Sequence, residues 1–175
     1  MELTAVQEKF VLHWGEMGQK WGINRTVAQI HALLYVAAKP LDAEEIAGTL
    51  GVARSNVSNS LRELQNWGIV KAVHVMGDRR DHFESMKDVW DLFRQVLDER
   101  KRREIDPTLA ILRDCIAEAE RTRSAEPQVK EKLGELLGFF ETMTGWYEQI
   151  RRMPTPMVIR FVNAGEKVRK LIGMA

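Results

Sequence analysis

Gly51 separates two short stretches of helical spacing, and a basic hairpin follows at once; few folds accommodate that order within about forty residues. The first stretch opens on Pro40-Leu41-Asp42, where the Asp42 carboxylate can accept from the free N–H groups of a helix start, with Glu44 and Glu45 in the electropositive first turn. Ala43, Ile46, Ala47 and Leu50 recur every three or four residues, and Gly51 stands where a helix end favours a left-handed residue. The second stretch, Val52 to Leu64, sets Val57, Leu61 and Leu64 on one face. Its other face carries Arg54, Ser55, Asn56, Ser58, Asn59 and Arg62.

That second face is unusual for a helix that merely meets water. Ser and Asn are mediocre helix formers that compete for backbone hydrogen bonds, and a solvated face is more readily built from Glu, Lys and Ala. Asn can address adenine through two hydrogen bonds, Arg guanine or phosphate, and Ser a backbone oxygen, all from a helix sized for the major groove. The spacing predicts that this helix ends near Trp67-Gly68. Ile69 to Val75 then reads as a strand, Gly77-Asp78 as a turn, and Arg79 to Phe83 as the returning strand. With Gly77 and Asp78 at the turn, Lys71 falls opposite Glu84 and Val73 opposite His82, and the tip projects Arg79 and Arg80 towards phosphates or a minor groove. Helix, turn, polar helix and basic hairpin together predict a winged helix-turn-helix that binds double-stranded DNA.

These residues resemble the GbsR branch of the MarR-like winged-helix transcriptional regulators. The resemblance is carried by Arg54-Ser55-Asn56-Val57-Ser58, Leu61-Arg62-Glu63-Leu64, Trp67-Gly68-Ile69-Val70, and Gly77-Asp78-Arg79-Arg80-Asp81-His82-Phe83 running into Lys87-Asp88-Val89-Trp90. Phe10, Gly15, Gly18 and Gly22-Ile23-Asn24-Arg25 are similar too. It is specific over the first hundred residues or so and architectural beyond them. It implies a dimeric bacterial or archaeal transcription factor, with the Arg54 to Arg62 helix as reader and Arg79 and Arg80 as wing contacts. It further implies that some relatives control genes for uptake or synthesis of glycine-betaine-type osmoprotectants. The chain departs from the family pattern at Ala53, where a hydroxyl cap is common, and at Ser55, where glycine is common.

Upstream, Leu3 to Lys20 places Val6, Phe10, Trp14, Met17 and Trp21 on one helical face, and Arg25 to Ala38 forms a second helix. The two brace the reader, and the aromatic stripe leaves part of the first helix for a partner subunit. Downstream, a long amphipathic helix starts at Met86 and runs through the mixed charges of Asp98 to Glu104, and Asp106-Pro107 resets the chain. Further helices are expected over about Thr108 to Thr122, Val129 to Arg151 and Val158 to Ile172, with Ser124 to Gln128 as a loop. The expected fold is mostly α, with a winged helix-turn-helix domain and a two-stranded wing over residues 1–85 and a helical dimerisation and effector region over 86–175. Four helices after the wing exceed what DNA reading requires. A homodimer accounts for them, because two half-sites roughly 34–36 Å apart need two readers at fixed geometry. A small-molecule effector that prefers one subunit arrangement would shift that geometry; Trp14, Trp21, Trp90 and Trp146 are candidates for an aromatic cage around a quaternary ammonium group.

Composition narrows the remaining classes. A net charge of +1 is not that of a protein that coats DNA, yet residues 52–82 hold five Arg or Lys against three acids, a focused basic surface. The single cysteine, Cys115, excludes an internal disulfide framework and points to the cytoplasm; its place among Leu112, Ile116 and Ala119 predicts a buried structural thiol rather than an oxidant sensor. No apolar run approaches the roughly 20 residues that span a bilayer, so no membrane partner is expected. The four histidines are scattered, no phosphate-binding glycine loop or nucleophile elbow is present, and neither cofactor, metal nor catalysis is expected; only His74 and His82 could meet, across the hairpin. The rival class is a winged-helix protein-interaction module that has lost DNA binding. It would show a recognition face without Arg or Asn, and here Arg54, Asn56, Asn59 and Arg62 are all present.

Overall fold

The computed structural model describes residues 2–122 and 127–171. It is mostly helical with one small antiparallel sheet, and it divides into two compact units, 1–97 and 98–175.

The first unit begins with α1 (Ala5–Lys20), capped by Thr4 and Gln7 in a reciprocal box, and α2 (Arg25–Val36), capped by Asn24. The predicted face of α1 is only partly the buried one. Val11, Gly15 and Gly18 are buried, while Val6 and Trp21 are exposed. The cause is a close helix crossing. A Cβ on Gly18 would lie 2.4 Å from the Ala28 Cβ, and one on Gly15 would lie 2.5 Å from the Gln29 Cγ, so glycine sets the contact line with α2. Helix α2 stops at Val36, short of the expected Ala38, and the Lys87 ammonium donates to the carbonyls of Leu34, Tyr35 and Ala37 at its end.

A short strand β1 (Leu41–Asp42) leads into α3 (Ala43–Leu50), then α4 (Arg54–Asn66), β2 (Val70–His74) and β3 (Asp81–Ser85). The sheet order is β1-β3-β2, so the wing has three strands and not the expected two. Strand β1 escapes sequence patterning because it is two residues long and one of them is also the cap of α3. Strands β2 and β3 are shorter or shifted relative to Ile69–Val75 and Arg79–Phe83, leaving a six-residue connection in place of a tight two-residue turn. The expected register holds: Lys71 pairs with Glu84 and Val73 with His82, and the first pair forms a 2.9 Å ion pair. One core unites these elements, with Ile30, Leu33, Leu34, Leu41, Ile46, Val57 and Leu64 at its centre and Leu92 and Val96 packed on its margin.

Helix α5 (Val89–Arg100) carries the chain into the second unit. A π-helical turn, Lys101–Ile105, joins it to α6 (Asp106–Thr122), so Asp106-Pro107 does not reset the chain. Proline lacks the N–H that would continue the i→i−4 ladder, and the wider turn sits directly before it. Helices α7 (Pro127–Arg151) and α8 (Thr155–Leu171) complete the unit. The predicted loop at Ser124 to Gln128 falls largely outside the described residues, as does Ile172 at the predicted end of the last helix. Within this unit the Asp98 carboxylate accepts from the Tyr147 hydroxyl at 2.7 Å and from Arg151, and Arg113 pairs with Glu141. Cys115 is exposed rather than buried: it lies on the solvent side of α6. No helix among the described residues is long and apolar enough to cross a membrane.

Candidate nucleic-acid interface

The first helix of the interface is built by its caps. Asp42 accepts from the backbone N–H groups of Glu44 and Glu45 at 2.7 and 2.9 Å, and the Glu45 carboxylate accepts from the Asp42 N–H at 3.1 Å. Burial would raise the Asp42 pKa, but those backbone donors and then Arg80 hold it below the usual carboxylate range. Gly51, at φ 64°, ends α3 in the left-handed conformation and turns the chain into α4.

Helix α4 buries Val57, Ser60, Leu61 and Leu64 against the core. Its six predicted site residues, Arg54, Ser55, Asn56, Ser58, Asn59 and Arg62, are all exposed and share the outer surface. No side chain caps α4 at Ala53, so its first N–H groups face outward beside Arg54 and Ser55, an arrangement that suits an anion. Two of the six already have internal partners: Arg54 pairs with Glu44 at 2.9 Å across the turn, and the Ser58 hydroxyl donates to the Arg54 carbonyl at 3.1 Å. Arg62 has no ion-pair partner among the described residues.

The end of α4 is fixed by Gly68, whose φ is 71°. The Gln95 amide donates to the Trp67 carbonyl at 2.9 Å, and its nitrogen would lie 2.9 Å from a Cβ on Gly68, so a larger residue would strain the backbone and displace that side chain.

At the wing the two predicted arginines behave differently. Arg79 is exposed, with no ion-pair partner among the described residues. Arg80 does not project from the tip as expected. Its guanidinium turns back onto Asp42 at 2.6 Å and onto Asp78, which holds the Asp78 carboxyl well below its ordinary range. His74 and His82 do not meet either, because His74 pairs with exposed Asp81 while His82 is buried on the opposite face of the ladder. Instead His82 joins Asp42 and Glu45. The carboxylates in this group already accept from backbone N–H groups, Lys39 and Arg80, which leaves little ligand capacity for a cation.

Of the four candidate effector tryptophans, Trp14 and Trp21 are brought together edge to face at 5.7 Å. Trp14 also touches Phe10 and His31, so its surroundings are already aromatic. Trp90 is half-buried on α5, and Trp146 is half-exposed on α7 of the second unit. The second unit has a shallow cleft lined in part by Lys101, Asp106, Arg113, Glu141 and Glu148; none of these tryptophans lines it, and its charges pair among themselves. Sequence patterning missed two residues that organise the winged unit, Lys87 and the second role of Asp42, since both bind partners far along the chain.

The MarR family model matches residues 21–81. Over 154 residues the chain is 18% identical to the HTH-type transcriptional repressor OpcR of Bacillus subtilis, covering 86% of this chain and 83% of that one. Over 136 residues it is 20% identical to the HTH-type transcriptional repressor GbsR of the same organism, covering 76% and 75%. YvaV, provisionally named an HTH-type transcriptional regulator in that organism, is 21% identical over 153 residues and 86% of each chain. A crystal structure of a transcriptional regulator superposes with a TM-score of 0.65 at 22% identity, over 83% of this chain and 95% of that chain, and shares the fold. The helix-turn-helix, the three-stranded wing and these likenesses agree: residues 21–81 match the MarR family, and the chain is similar over most of its length to HTH-type transcriptional regulators that include GbsR.

Proposed function

We propose that this chain binds a two-fold DNA site as a homodimer and represses transcription. Helix α4 would read the major groove through Arg54, Ser55, Asn56, Ser58, Asn59 and Arg62, while Arg79 on the wing meets the phosphate backbone. The observation that carries the reading is the split of α4: every apolar residue of its inner face is buried, and all six hydrogen-bonding residues on the other side are exposed. The two-fold arrangement is supported by the apolar residues left exposed on the second unit, including Phe139 and Trp146. The direction of control is suggested by OpcR and GbsR, both named as repressors. A small-molecule effector, with Trp14 and Trp21 as its aromatic contacts, would act by favouring one spacing of the two readers.

The test is a salt-resolved binding titration of the Arg62→Ala variant. If Arg62 reads guanine, affinity falls by about 1–3 kcal/mol and discrimination relaxes at one base position. An affinity unchanged on every duplex and at every salt concentration would remove Arg62, and with it the proposed face of α4, from the interface.

A further inference from the structure

Asp42 serves two elements at once. One carboxylate oxygen starts α3 by accepting from Glu44 and Glu45, and the other lies 2.6 Å from an Arg80 guanidinium nitrogen. The Asp42 side chain is 3% exposed and that of Arg80 55% exposed, so the acid is sealed beneath the base. Around them the wing closes on itself. The Arg80 Nε donates to both Asp78 oxygens at 3.0 Å, and the Arg80 N–H donates to Asp78 as well. The Arg80 carbonyl lies 3.0 Å from His82 Nδ1, and His82 stands opposite Asp42 in the β1–β3 ladder.

This arrangement is poorly suited to gripping phosphate. Arg80 with Asp42 and Asp78 carries a net charge of −1, so presenting the group to DNA brings no new positive charge and releases no counterions. Withdrawing the guanidinium would strand a buried carboxylate without its partner, a costly state. The neighbouring Arg79 carries no such obligation.

We infer that Arg80 is a clasp and not a DNA contact: by holding Asp42 it fixes the wing against α3 and the helix-turn-helix, and it thereby positions Arg79 for the phosphate backbone. The inference rests on the DNA-binding reading above.

The test compares full-chain Arg79→Gln, Arg80→Gln, Asp42→Asn and the Asp42→Asn/Arg80→Gln double variant in DNA titrations over a range of salt. Arg79→Gln should flatten the slope of log affinity against log salt by about 0.9 for each phosphate that Arg79 neutralises. Arg80→Gln should weaken binding about tenfold at every salt, with the slope unchanged. Asp42→Asn keeps a capping oxygen but loses the charge that holds Arg80, so it should match Arg80→Gln, and the double variant should be no weaker than either single one. Arg80→Gln flattening the slope as Arg79→Gln does, or Asp42→Asn tightening binding by releasing Arg80, would overturn the clasp. Amide hydrogen exchange over residues 81–85 without DNA separates the two levels of the argument. The clasp predicts exchange about tenfold faster in Arg80→Gln and Asp42→Asn, and unchanged in Arg79→Gln. Faster exchange in a protein that binds no duplex selectively would refute the DNA reading and keep the clasp, whereas unchanged exchange would refute the clasp. Should a single variant fail to fold, the double variant, which has neither charge, carries the exchange measurement.

Discussion

The two units bury their apolar residues to very different depths. In the first, α1 to α4 and the sheet close around side chains such as Ile30, Leu33 and Leu41, each at 0% exposure. In the second, the buried apolar residues among those described are Leu109, Leu112 and Val158, while Ile111, Leu136, Phe139, Met143, Trp146 and Phe161 lie open. The first unit also leaves Trp21 and Phe93 open, but around a closed core; in the second, large exposed apolar residues outnumber the buried ones among those described, a pattern that suits completion by another surface. On the proposed reading the contrast would separate reading from assembly: the first unit would present α4 to DNA from a packed base, and the second would carry the surface that sets two such bases at a fixed spacing.

The largest test of that contrast is a pair of truncations. Leu33→Ala should destabilise the first unit by about 2–5 kcal/mol in chemical denaturation, because it opens a cavity in a packed core. Phe139→Ala should cost the isolated subunit well under about 1 kcal/mol, since the ring, 58% exposed, has little packing to lose. Equal losses would break the contrast.

A pH titration sharpens it next. His31 is 7% exposed, and burial followed by the Lys87 charge lowers its pKa from 6.5 to about 4. The folded state therefore binds fewer protons than the unfolded one between those values. Stability is full above pH 6.5, falls as the pH drops through that window by about 3 kcal/mol, and levels off below it. Denaturation midpoints measured from pH 7 to 4 should show this loss in the first unit, and His31→Leu should remove most of it.

A smaller effect belongs to the second unit. Phe139→Glu or Trp146→Glu should weaken self-association by about 2 kcal/mol in sedimentation equilibrium and leave the melting of the first unit in place. A dimer of unchanged affinity in both variants would put the subunit contact elsewhere.

What could be read from the residues was local. Asp42, Gly51 and the opposed faces of α4 declare themselves within a few turns, and Gly77-Asp78 placed Lys71 opposite Glu84 because a hairpin's register follows from its centre. What escaped was non-local or too short to have a period. Strand β1 has two residues, and the partner that turns Arg80 away from the tip comes from an earlier element of the chain. Helical spacing on α1 marked an apolar stripe but could not show that α2 would dock on Gly15 and Gly18, leaving Val6 and Trp21 outside. Cys115 lies beside that same limit: its neighbours Leu112 and Ile111 are buried and exposed respectively, and spacing alone did not say on which side of α6 the boundary falls.

The most direct measurement is a fluorescence-anisotropy titration of the protein with the DNA flanking its own gene and with a scrambled duplex of equal length, at two salt concentrations, with the mass of the complex determined alongside. The account predicts two subunits per duplex and a preference for the flanking DNA of about a thousandfold or more. Equal, salt-sensitive affinity for both duplexes, with the same outcome after selection from random sequence, would contradict it.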